Sequence, residues 1–67
     1  MNATDQAKLC KADYTILRRM DYPSPYIKFK SEANPHSWKR YGDYYPSKAG
    51  RDRSMKRLLQ SSDIIED

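Results

Sequence analysis

Three short stretches interleave aromatic rings with cations: Tyr26-Ile27-Lys28-Phe29-Lys30, Trp38-Lys39-Arg40-Tyr41 and Tyr44-Tyr45. All eight aromatic residues of the chain fall between Tyr14 and Tyr45. Flat rings stack on bases, and neighbouring ammonium and guanidinium groups hold phosphates, so the pattern suits nucleic-acid contact. Arg51, Arg53, Lys56 and Arg57 form a second basic cluster further along. The candidate nucleic-acid-binding set is therefore Tyr26, Lys28, Lys30, Trp38, Lys39, Arg40, Tyr44, Tyr45, Arg53, Lys56 and Arg57. The cations would take phosphates, and Tyr26 or Trp38 would stack. The same rings also suit two other tasks, the core of a small chain and the anchors of a protein interface. Ile27 and Phe29 read as core, because they are the only bulky apolar pair in mid-chain. Trp38 competes for the core as well, and Arg51-Asp52-Arg53 reads as a solvated helix start.

Other chemistries find little support. One cysteine, Cys10, and one histidine, His36, cannot make an internal disulfide or a zinc site of the usual nitrogen and sulfur type. Cys10 reads as a small buried hydrophobe. Gly42 and Gly50 are the only glycines, so there is no glycine-rich phosphate loop. Asp13, Asp21, Glu32, Asp43 and Asp52 are scattered without a paired arrangement. Enzymatic activity is not expected, nor is a cofactor or a metal. There is no long apolar run and no leader core, so neither a membrane span nor secretion is expected, and a cytoplasmic location is.

The charge is unevenly distributed. All 13 basic residues and six of the nine acids lie in residues 1–62, a balance of +7, while Asp63, Glu66 and Asp67 close the sequence at −3. A basic body implies a polyanion or an acidic protein surface as partner. Leu, Ile and Phe together number only nine among 67 residues, and Val is absent. A core this thin must draw on tyrosine. The length allows one domain, residues 1–67, with 63–67 as a frayed acidic tail: three carboxylates at a helix C-terminus oppose the helix dipole.

The elements expected to position these residues are mainly helical. Thr4 suits an N-cap, and a helix is predicted to run to Met20. Leu9, Cys10, Tyr14, Ile16, Leu17 and Met20 would share one half of it, and Lys8, Lys11, Arg18 and Arg19 the other. Asp21-Tyr22-Pro23-Ser24-Pro25 ends it. Tyr26 to Lys30 alternates as an extended segment, with Ile27 and Phe29 on one side and Tyr26, Lys28 and Lys30 on the other. Asn34, Pro35 and Gly42 punctuate a short helix that places Trp38 and Tyr41 on one face. Ser47 opens a C-terminal helix to about Ser62, with Met55, Leu58, Leu59, Ser62 and Ile65 as its stripe. The resulting expectation is a mainly α, small three-helix domain with one extended segment. The alternative is an α+β fold, in which Ser37–Tyr41 pairs with Tyr26–Lys30 as a central β-hairpin between two helices.

Two functions follow. The first is a small basic nucleic-acid-binding or regulatory accessory protein, on DNA or RNA. The second is a protein-binding adaptor or inhibitor, the kind of small stand-alone chain that phages and mobile elements encode, acting through a Tyr/Arg surface.

Overall fold

The computed structural model describes residues 2–67. It corrects the three-helix expectation: the chain is α+β, in the order α1 (Ala3–Lys11), β1 (Thr15–Met20), β2 (Tyr26–Ser31), β3 (Asn34–Tyr41), α2 (Lys48–Leu58) and β4 (Ile64–Glu66). The strands form one mixed sheet in the order β3-β2-β1-β4. β1 and β3 run antiparallel to β2, and β4 runs parallel to β1.

The predicted N-terminal helix stops halfway. Asn2, not Thr4, is its N-cap, accepting a hydrogen bond from the Asp5 amide at 2.9 Å. Asp13 then adopts a left-handed φ of 71°, which ends the helix and turns the chain into β1. Residues 15–20 alternate side by side, so the basic residues assigned to one helix half separate. Lys8 and Lys11 stay on α1, while Arg18 and Arg19 take opposite faces of β1.

The predicted short central helix is strand β3. Phe29 pairs with Lys39, Lys28 with Arg40 and Ile27 with Tyr41, and the register slips between Phe29 and Ser31. Pro35 lies near the start of an edge strand, where its missing N–H is tolerated. The hairpin alternative thus holds, its strands joined through Glu32 and Ala33. Gly42 does not stop a helix. It takes a φ of 70°, reversing the chain out of β3.

Ser47 caps α2 as expected, accepting from the Gly50 amide at 3.2 Å, but α2 ends at Leu58 rather than near Ser62. The acidic tail does not close a helix as expected but pairs with β1 through β4. Thr15 donates its amide to the Asp63 carbonyl and Asp67 donates to the Leu17 carbonyl, both at 2.8 Å, so the tail is stitched to β1.

Each face of the sheet carries one helix. On the α2 face, Leu17, Ile27 and Met55 are fully buried, with Phe29, Tyr45, Leu58, Leu59 and Ile64 packed around them. Burying each of these three residues contributes on the order of 1.5–3 kcal/mol. Ile64 joins this cluster in place of the predicted Ile65. On the opposite face, Ile16 is buried, as are Ala7 and Cys10 of α1. Arg51, expected to be solvated, is 4 % exposed. It donates to the Asp21 carboxylate at 2.5 Å, to Asp52 at 3.0 Å and to the Met20 carbonyl, pinning α2 to the β1–β2 turn.

Candidate interaction face

Strand alternation and register arrange the α1 face in rows across the sheet. In the first row Ile16 lies opposite Lys30, and Lys30 donates to Gln6 Oε1 of α1 at 2.7 Å. α1 covers this row, and Lys30 is only 5 % exposed. In the second row Arg18 lies opposite Lys28, and Lys28 opposite Arg40. Three cationic residues thus occupy neighbouring backbone positions on three strands, about 5 Å apart from strand to strand. In the third row Met20 lies opposite Tyr26. The second and third rows open to solvent, where Arg18, Arg40 and Tyr44 are exposed.

The aromatic residues are built into this face. The Trp38 ring holds two ammonium groups, with Lys28 Nζ at 4.8 Å and Lys30 Nζ at 4.7 Å from its centroid. Such cation–π contacts contribute about 0.5–1 kcal/mol at exposed sites and more where desolvated. Arg40 lies over the Tyr44 ring at 4.6 Å and donates through Nε to the Gly42 carbonyl at 3.0 Å. Tyr44 meets Tyr26 edge to face at 5.4 Å. The Gly42 reversal makes this return possible, and the Tyr45 amide anchors it by donating to the Pro25 carbonyl at 2.8 Å.

Like charges directly opposite one another in a sheet are destabilising. The effect registers on Lys28, whose ammonium is held below the ordinary lysine range by burial and then by Arg18 and Lys30, with Asp67 acting in the other direction. Asp67 lies at the β4 end of the row, 3.8 Å from Arg18. The full row across the sheet therefore reads Asp67, Arg18, Lys28, Arg40: one acid, then three cations.

The structure brings six of the predicted residues together: Tyr26, Lys28, Lys30, Trp38, Arg40 and Tyr44. Lys39 falls on the other face of β3, in register with Phe29. Tyr45 packs into the cluster under α2. Arg53, Lys56 and Arg57 are exposed on α2, on the far side of the sheet. Sequence reasoning missed Arg18 and Asp67, which complete the row. The alternation Ile16, Arg18, Met20 was the available signal for Arg18.

The α2 side has its own groove of about 370 Å³, lined by Arg19, Asp52, Lys56, Leu59 and Gln60. Its central cation is already paired. Arg19 binds Glu66 at 2.7 and 3.0 Å and lies 3.6 Å from Asp52. Among the described residues no group of three or more acidic, cysteine or histidine side chains is placed to hold a metal ion. No described helix is long and apolar enough to cross a membrane. Comparison with protein-family models, curated proteins and solved structures finds no match to this chain.

Proposed function

We propose that the protein is a small binding module that docks an acidic surface of a partner protein through the open half of its α1 face. Arg18, Lys28 and Arg40 supply the charge, and Tyr26, Tyr44 and the edge of Trp38 supply the apolar contact. The observation that carries this reading is the cationic row itself. Three like charges held in register raise the energy of the free protein and are relieved by an opposing anionic surface. Arginine and tyrosine together are also the side chains that most often anchor protein interfaces.

The ring geometry favours a protein partner over nucleic acid. Two lysines lie over Trp38, and Arg40 lies over Tyr44 with Tyr26 against it, so a stacking base would have to compete with the protein's own cations for either ring. Arg53, Lys56 and Arg57 lie across the sheet from the row, so the two basic clusters do not form one track for a phosphate backbone.

The test is a nuclease-treated capture experiment with three proteins: the native chain, the triple variant R18E/K28E/R40E, and the triple variant R53E/K56E/R57E. A stoichiometric protein retained by the native chain and the α2 variant, but lost by the row variant, supports the proposal. Tight, steeply salt-dependent binding of mixed-sequence DNA or RNA through the row, with no protein recovered, overturns it in favour of nucleic acid.

A further inference from the structure

The cationic row ends at an edge. β3 is eight residues long and lies at one margin of the sheet, whereas β4 at the other margin has three. Ser37, Lys39, Arg40 and Tyr41 are exposed along it. Among the described residues, no turn, loop or cap hydrogen bond reaches the β3 backbone, which is paired only with β2. An edge strand in this state presents alternating N–H and C=O groups to any extended chain.

We infer that the outer edge of β3 receives an extended acidic segment of the partner protein as a fifth strand. This rests on the docking reading above and specifies its geometry. The argument is charge complementarity in register. At the β4 margin the row is closed by Asp67 beside Arg18. At the β3 margin it stops at Arg40. A strand added there lies about 4.8 Å away, and its residue opposite Arg40 continues the row. A carboxylate in that position closes the β3 end as Asp67 closes the other. The next residue of the added strand faces Lys39 on the opposite side, so it too is favoured as an acid. Main-chain hydrogen bonds supply affinity and the two cations supply register, which is the general logic of strand addition.

A second copy of this chain is the wrong occupant. Pairing β3 with itself brings two Lys39-Arg40 pairs and two cationic rows together, and like charges across an edge are a recognised guard against self-association. Pro35 lacks an N–H and marks the end of the usable edge, leaving Ser37 to Tyr41 as the docking stretch.

The experiment uses the full chain and three capped peptides of about eight residues, a common strand length. One carries a central pair of adjacent glutamates, one for Arg40 and one for Lys39, flanked by valines. The second replaces glutamate with lysine. The third is the glutamate peptide N-methylated at consecutive residues, which keeps the charge and removes strand donors from both edges. Binding is followed by NMR titration and amide exchange. The glutamate peptide is expected to slow exchange at Ser37–Tyr41 about tenfold or more, and N-methylation to weaken binding about tenfold or more. The lysine peptide is expected not to bind the native chain. Arg40→Glu, its fold confirmed by amide dispersion, is expected to lose the glutamate peptide. If the N-methylated peptide binds equally well and shifts only Arg18 and Lys28, strand addition is overturned while docking on the face stands. If no acidic peptide perturbs either the row or the edge, both readings fall.

Discussion

Lys28 stands directly opposite Arg18 across the β1–β2 ladder, one cation facing another, and Arg40 faces it from the other side. Neither neighbour relieves it. What steadies Lys28 is the Trp38 ring beneath its ammonium and the negative charge of Asp67. A chain selected only for stability would place a neutral or acidic residue at this central position. Under the docking proposed above, the arrangement is stability given up for an external contact.

Replacing the central cation separates the two roles. Each like-charge cross-strand pair costs roughly 0.2–1 kcal/mol, and a cation–π contact at an exposed site returns about 0.5–1 kcal/mol. Lys28→Met removes two such pairs and keeps an unbranched side chain against Trp38. Denaturant unfolding is expected to find the variant at least as stable as the native chain, with a gain of up to roughly 1 kcal/mol. Partner binding is expected to weaken. A clear loss of stability would mean that the row is structural.

Arg51 is the reverse case, a cation consumed by the fold. Its guanidinium joins α2 to Asp21, Asp52 and the Met20 carbonyl, while the two carboxylates stay substantially exposed. Arg51→Met is expected to cost about 1–3 kcal/mol, below a fully buried pair because solvent screens the carboxylates. Arg51→Lys is expected to restore little, since an ammonium cannot span the same set of acceptors. Thermal unfolding of both variants checks this, and lysine rescue to native stability would contradict it.

Two carboxyl groups set opposite pH trends. Hydrogen bonding from Arg51, reinforced by Lys48, holds Asp21 below the ordinary aspartate range. Its stabilisation is therefore present at neutral pH and is lost as pH falls below the ordinary aspartate value of about 4. Hydrogen bonding with Asp13, and that residue's like charge, push Glu32 above the ordinary glutamate range. The folded state then holds the extra proton, so this contribution is full in acid and is lost as pH rises above the ordinary glutamate value of about 4. Denaturation curves taken across these pH values are expected to lose the acid-side fall in D21N and the rise-side decline in E32Q. Curves for E32Q that parallel the native chain would remove the Asp13–Glu32 contact from the account.

Local alternation was the readable part of the sequence. Tyr26 to Lys30 placed Ile27 and Phe29 on one face and Tyr26, Lys28 and Lys30 on the other, as the structure has them, because a strand buried on one side writes its period directly. Ser47 announced α2 by its chemistry as an N-cap. Thr15 to Met20 hid its strand, since Ile16 and Leu17 are both fully buried on opposite faces, and adjacent apolar residues also fit a helical stripe. That error concealed Arg18. Asn34, Pro35 and Gly42 imitated helix punctuation while serving an edge strand and a left-handed turn. β4 was illegible for a different reason: its parallel partner β1 lies at the other end of the chain, and three residues carry no period of their own.

The row carried by β1, β2 and β3 is proposed to meet a protein. Site-specific photo-cross-linking tests it most directly, with a photoreactive phenylalanine derivative placed at Tyr44 beside the row or at Arg57 on α2, in extract from the cells that make the protein. A discrete, nuclease-resistant protein adduct is expected from position 44 and none from position 57. An adduct from position 57 alone, or one at position 44 that nuclease removes, would contradict it.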